Sequence, residues 1–220
     1  ITMPMPMTRR DFHVGLLALL TGTRLPAASA QADLVEGKDW RALSPPQPSA
    51  DSERIKVFEF FSYGCPHCAS LNPLINAWAE QQPKDVGFRR VPVTFGRAAW
   101  ANLARRYYAL EVDGSLAELD QAVFDALTNQ RVNLYTETNI LKWIEQQGLD
   151  ADAFAKTFNS FAVEVALGRA RDLESRMRID AVPRIVVDGR YVVVGEGVRG
   201  YEGLLRITDA LVERARRVRG

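Results

Sequence analysis

The run Ile55, Val57, Phe58, Phe60 and Phe61 constrains this chain more than any other feature, because it is β-branched and aromatic and stops at Ser62-Tyr63-Gly64. Such a run reads as a buried strand followed by a backbone break. Past the break, Leu71, Leu74, Ile75 and Trp78 recur at helical spacing, and Pro66 suits a first helical turn, where its missing N–H leaves no bond unmade. Val86 to Val93 reads as the next strand. Strand, helix and strand are therefore expected in succession.

The middle of the chain has a different pattern. Between Gly96 and Met177 there is no convincing strand, but there are several helical segments with their own start and stop signals. Ser115 and Glu118 predict a capping box ahead of Leu116, Leu119, Val123, Phe124 and Leu127. Gly148 is placed to close a helix carrying Ile140, Leu141 and Ile144, while Asp150 and Ser160 are placed to cap the two that follow. Strand character returns at Arg184–Val187, where Asp188-Gly189 predicts a two-residue turn into Arg190–Val194. A last helix carries Leu204, Leu205, Thr208, Leu211 and Val212. The expectation is an α/β domain built from residues 55–96 and 178–220 and interrupted by a helical insertion, residues 97–177. Residues 31–54 read as an N-terminal segment with a connector, since Ser44-Pro45-Pro46-Gln47-Pro48-Ser49-Ala50 has too few amide donors for a strand.

Residues 1–30 read as a leader rather than as part of the fold. Thr8-Arg9-Arg10-Asp11-Phe12 is basic, Val14 to Leu20 is apolar, and Ala28-Ser29-Ala30 is a small-residue cleavage site, which is the order of a signal peptide cut after Ala30. The apolar run is about ten residues, short of the roughly 20 that cross a bilayer. Thr-Arg-Arg-x-Phe also matches a twin-arginine address, and ordinary unfolded export stands beside it as the other route. Either route delivers the chain to a compartment where disulfides persist. With 28 basic and 27 acidic residues, the chain offers no electrostatic reason to expect a nucleic-acid partner.

The only cysteines lie at Cys65-Pro66-His67-Cys68, directly after the strand and at the start of the helix. A chain of this size buries about 70% of its unfolded surface and needs no disulfide staple, so both thiols are available for chemistry. Structural zinc needs four ligands, and past the leader His67 is the one histidine, wedged between the thiols. Two inert core cysteines fit poorly with the backbone break marked by Gly64 and Pro66. A redox dithiol fits best. A thiolate on Cys65 would face the unpaired amides and positive dipole end of the helix, with Pro66 presetting the turn and His67 adding a donor or a charge. Cys65 is then the nucleophile and Cys68, one turn deeper, the resolving thiol. Whatever stabilises the thiolate stabilises the reduced protein, so the disulfide becomes a stronger oxidant and is expected to be donated. Glu59 shares the odd-numbered face of its strand with Ile55, Val57 and Phe61. Read as an edge carboxylate it does nothing; read as buried, it can exchange protons with the thiol of Cys68. Val182-Pro183 reads, on its own, as an ordinary extended approach to a strand.

The stretch Phe58-Glu59-Phe60-Phe61-Ser62-Tyr63-Gly64-Cys65-Pro66-His67-Cys68, the helical insertion, and Val182-Pro183-x-Ile185-x-Val187-x-Gly189-x-Tyr191 together resemble the DsbA family of thiol:disulfide oxidoreductases. The resemblance implies a thioredoxin-like fold with an inserted all-helical domain, in which a cis Pro183 and its neighbour Val182 lie beside the dithiol and meet substrate. It implies a redox-active Cys65–Cys68 disulfide with no separate cofactor and no metal, a periplasmic location, and a monomer. Its partners would be unfolded exported proteins with reduced cysteines and a DsbB-like membrane quinone reductase that reoxidises the dithiol. Tyr63-Gly64 departs from the bulkier pair that some members carry before the dithiol, which bears on the substrate surface rather than the chemistry. Two other functions compete: a disulfide isomerase or reductase, and a non-enzymatic thioredoxin-like chaperone that holds unfolded segments near Pro183.

Overall fold

Five strands form one mixed sheet in the computed structural model, which describes residues 34–48, 53–194 and 200–219. They are β1 (Trp40–Ala42), β2 (Ile55–Phe61), β3 (Val86–Pro92), β4 (Arg184–Val187) and β5 (Tyr191–Val193), in the spatial order β1-β5-β4-β2-β3. β2 pairs in parallel with β3, from Ile55 opposite Val86 to Phe61 opposite Pro92, and antiparallel with β4. Parallel neighbours need a crossover, and α1 (Pro66–Glu80) supplies it, continuing as one helix through Pro73. Five helices then separate β3 from β4: α2 (Ala98–Asp113), α3 (Leu116–Thr128), α4 (Glu137–Gln146), α5 (Ala151–Phe158) and α6 (Phe161–Arg176). The chain ends in α7 (Gly200–Arg219). This is a thioredoxin-like α/β fold with helices inserted between its third and fourth strands. The expected leader, residues 1–30, lies outside the described residues, as do Ser49 and Ala50 of the connector.

The pleat of β2 sorts the core. Ile55 and Val57 point toward Leu71, Ile75 and Trp78 of α1 and Ile207 and Leu211 of α7, where Trp78 Nε1 also donates to Asp209 Oδ1 at 2.7 Å. Phe60, with Val91, Val186 and Val192, belongs to the second cluster, which runs on into Leu103, Phe124, Ile144 and Phe154 of the inserted helices. β2, flanked by β4 and β3, thus buries apolar residues on both of its faces, Val57 on one and Phe60 on the other, which explains why its sequence does not simply alternate apolar with polar.

Three local expectations need correction. The capping box at Ser115 does not form: the residue sits at φ −92°, ψ 0°, outside the extended conformation an N-cap adopts, and its hydroxyl donates to Asp113 Oδ2 at 2.8 Å instead. The β4–β5 connection has three residues rather than two, because Arg190 N closes the turn on Val187 O at 3.0 Å but the ladder resumes only at Val187 opposite Tyr191. Asp188 and Gly189 both have positive φ there, 57° and 58°. A Cβ on Gly189 would also overlap the Gln47 carbonyl, since the segment after β1 runs along this turn and Gln47 N donates to Gly189 O at 2.7 Å. The third is β1 itself, an edge strand in the N-terminal segment ahead of the connector, where no strand was expected; only its antiparallel pairing with β5 makes it a strand. The caps at Asp150 and Ser160 form, accepting from Ala153 N at 3.0 Å and Val163 N at 3.4 Å.

Candidate active site

β2 ends at Phe61, and Ser62, Tyr63 and Gly64 carry the chain to the N-cap of α1. Cys65 N donates back to Ser62 O at 3.0 Å, which tightens the turn, and Cys65 becomes the N-cap of α1 with Pro66 in its first turn. The Cys65 backbone is extended, with φ −104° and ψ 114°, and no side chain closes the amides that follow. Cys68 lies one turn in. It is wholly buried, whereas Cys65 keeps 8% of its surface, and both are free thiols.

These two positions give the thiols opposite acidities. The Cys65 thiol is held down at about 6, foremost by the hydrogen bond from the Cys68 thiol. Burial works against this, while the amides of Cys68 and His67 and the His67 charge work with it. Cys68 is pushed far up by burial, and its bond to Cys65 and the charges of Cys65 and Glu59 push the same way. The amides of the helix start and the His67 charge act in the same direction, but the larger contribution to the Cys65 thiolate is the second cysteine.

Across from α1, the Val182–Pro183 peptide is cis, and Cys65 Sγ donates to the Val182 carbonyl at 3.5 Å. His67, exposed on the first turn, puts Nδ1 3.1 Å from the Tyr201 hydroxyl at the start of α7. The dithiol, the bond before Pro183 and the first turn of α7 thus meet at one end of the sheet. A cavity of about 590 Å³ opens on the other flank of the dithiol, between α1 and α3, lined by Gly64, Pro66, Ala69, Gln121, Thr128 and Tyr135.

Glu59 is fully buried, which rules out the edge carboxylate. It lies opposite Arg90 in the β2–β3 ladder, and Arg90 Nε donates to Glu59 Oε2 at 2.7 Å. Arg90 Nη1 donates to Asp120 Oδ2 of α3 at 2.7 Å, and the Tyr63 hydroxyl donates to Asp120 Oδ1 at 2.6 Å. The Arg90 guanidinium also lies 4.0 Å over the Phe61 ring. Burial raises the Glu59 carboxyl and Arg90 opposes it. Arg90 and Asp120 were not singled out from the sequence, and Tyr63 was noted only as part of the Tyr63-Gly64 pair before the dithiol. A charge in the middle of β3 was the available signal for Arg90, while nothing in α3 distinguishes Asp120 from a surface carboxylate. Among the described residues, no group of three or more His, Cys, Asp or Glu side chains is arranged to hold a metal ion.

A family model described as a DSBA-like thioredoxin domain matches residues 56–204. Among curated proteins, the chain is 36% identical over 205 residues to the thiol:disulfide interchange protein DsbA of Azotobacter vinelandii, covering 90% of this chain and 95% of the relative. It is 34% identical over 202 residues to the protein of the same name from Pseudomonas aeruginosa, covering 91% and 95%. Among solved structures, Pseudomonas aeruginosa DsbA superposes with a TM-score of 0.80 at 33% identity, over 84% of this chain and 96% of that one. The oxidoreductase DsbA of Xylella fastidiosa gives 0.75 at 35% identity, over 83% and 98%.

Proposed function

The chain belongs to the DsbA-like thioredoxin family and is a thiol:disulfide oxidoreductase, and from that premise we propose that it donates a Cys65–Cys68 disulfide to exported proteins during their oxidative folding. The observation that carries the direction is the contrast between the two thiols: Cys65 acidified to about 6 and Cys68 held protonated. Thiolate stabilisation has no counterpart in the neutral disulfide, so it favours the reduced protein and makes the oxidised one an electron acceptor.

In the proposed reaction a client thiolate attacks Sγ of Cys65, the Cys65–Cys68 bond breaks, and a mixed disulfide forms. The electron pair leaves on Cys68, whose burial disfavours the anion, and Glu59 supplies the proton that neutralises it. Glu59 Oε1 has no hydrogen-bond partner and is the oxygen free to carry that proton. A second client thiolate then attacks the client sulfur, forming the client's disulfide and releasing Cys65 as a thiolate. The client is oxidised by two electrons and the dithiol is reduced by two. Pro66 sets the turn that presents Cys65, and His67 adds charge beside it. Val182 and Pro183 form the substrate-binding strip, a role supported by the contact between Cys65 Sγ and the Val182 carbonyl.

The same reading covers the surroundings of the reaction. The clients are unfolded exported proteins with reduced cysteines, and a DsbB-like membrane quinone reductase takes the electrons back. The location is the periplasm, supported by the leader pattern of residues 1–30 and by the family. Residues 97–177 act as an inserted helical domain on a thioredoxin-like domain of residues 55–96 and 178–220.

The test is substitution of each cysteine with a reduced client present. Cys65→Ser abolishes oxidation of the client, and Cys68→Ser accumulates a mixed disulfide through Cys65 that gel mobility and mass spectrometry detect. A Cys65→Ser protein that still oxidises clients would overturn the assignment. Equilibration of the intact protein against glutathione separates donor from reductant: a potential as low as that of a typical cytosolic reductant would make the isomerase or reductase reading the better one.

A further inference from the structure

The carboxylate that neutralises Cys68 does not act alone. Its Oε2 is committed to Arg90 Nε, and Arg90 is shared, through Nη1, with Asp120. Asp120 in turn accepts from the Tyr63 hydroxyl, so a continuous chain of three hydrogen bonds, between 2.6 and 2.7 Å, runs from α3 to the centre of β2. Every member is buried. We propose that Asp120 is a positioning residue that sets when Glu59 is protonated, by competing with it for Arg90, and that Tyr63 moderates this competition.

Two carboxylates, Glu59 and Asp120, face one bridging guanidinium, and Glu59 receives only one of the nitrogens that Arg90 offers. In a site closed to water each charge acts more strongly on its neighbours than it would in solution. Asp120 therefore raises the proton affinity of Glu59 in two ways: it takes part of the Arg90 charge, and its own charge repels a second anion. Tyr63 donates to the far oxygen of Asp120 and so weakens both effects; burial and the Asp120 charge keep its hydroxyl protonated and able to donate. The other charged and titratable groups around this chain are Cys68 from α1 and Arg106 and Tyr107 from α2. Across the ladder, β4 presents Ile185 to Glu59. Arg106 is fully buried, 5.1 Å over the Tyr63 ring, with Nε and both Nη lacking a hydrogen-bond partner, and the Asp120 charge acts on it as well. Asp120 thus interacts with two guanidiniums, Arg90 and Arg106.

The consequence is that α3, one of the inserted helices, reaches the proton needed at Cys68 without touching either sulfur. The inference rests on Glu59 as the proton source, and the test keeps the two apart. The rate of mixed-disulfide formation between the oxidised full-length protein and a reduced cysteine peptide is measured against pH and normalised to the peptide thiolate. In the unsubstituted protein this rate falls as Glu59 loses its proton. Asp120→Asn gives Arg90 wholly to Glu59, and the fall moves about one pH unit lower, a tenfold change in protonated fraction at fixed pH. Tyr63→Phe keeps the ring packed against Phe124 but removes the donor to Asp120, and the fall moves by a smaller amount to higher pH. Opposite shifts from two neighbours are not what a loss of packing produces. Glu59→Gln abolishes the fall; if it persists unchanged there, Glu59 is not the proton source and the inference goes with that reading. If Glu59→Gln abolishes it but the other two variants leave it in place, or move it the same way, the relay stands and the role of Asp120 is overturned. Should Asp120→Asn not fold, the direction of the Tyr63→Phe shift decides.

Discussion

Helices α4, α5 and α6 begin on side chains that close their first turns, whereas α1 begins on a cysteine that leaves its first turn open. Thr136, Asp150 and Ser160 each accept from the amide three residues on. Cys65 occupies the same N-cap position in the same extended conformation, and its side chain makes no cap hydrogen bond. A capped helix start is worth about 1 kcal/mol of stability, and α1 forgoes that term while its dithiol is protonated. The open amides and the dipole end are instead available to a sulfur anion, so the start of α1 is stabilised only when Cys65 ionises. The inserted helices use their termini to hold shape, and α1 uses its terminus to hold charge.

That contrast is broken most directly by comparing the thermal stability of the two redox states. At neutral pH the reduced protein is expected to melt above the oxidised one, because only the reduced form gains the thiolate. The Cys65 thiol is more acidic folded than unfolded, so its contribution is complete above the unfolded value near pH 9 and is lost as pH falls through about 6. The gap between the two melting temperatures therefore narrows as pH is lowered from 8 to about 5. An oxidised form that melts higher at neutral pH would remove the basis for disulfide donation.

His67 sharpens the comparison. Its amide and its charge both stabilise the Cys65 thiolate, but a substitution can take them separately. His67→Ala keeps the amide and is expected to make the disulfide less oxidising by on the order of 30 mV, a tenfold change in equilibrium with glutathione. His67→Pro also removes the amide and should lower the potential further, while the helix start tolerates the second proline. Equal potentials for the two variants would mean that the open amide does not hold the anion. The smallest effect belongs to the capped end: Asp150→Ala is expected to lower stability by about 1 kcal/mol in denaturant melts and to leave the glutathione equilibrium constant unchanged.

Much of this arrangement is legible in the amino-acid order because it is local. β2, the break at Gly64, the start of α1 and the helical character of residues 97–177 all follow from periodicity and from residues with strong backbone preferences. Asp150 and Ser160 cap their helices because a cap is made within three residues. Ser115 fails for the same reason in reverse: its backbone is set by the αL Gly114 turn before it, and the motif alone does not carry that angle. Glu59 could be placed on the buried face of β2 from alternation. Its partner could not, because the choice among the β3 positions depends on the register between two strands.

By itself the sequence determined the chemistry: two cysteines three apart at a helix start, with the order of strand and helix that puts them there. The tertiary structure decided how that chemistry is tuned. Arg90, Asp120, Tyr63, Tyr201 and the Val182 carbonyl reach the dithiol or its proton source from separate elements, at separations of up to 134 residues from their partners. Local patterns report backbone preference within a few residues. The field at a buried sulfur is summed over everything that packs against it, and only the folded chain establishes which groups those are.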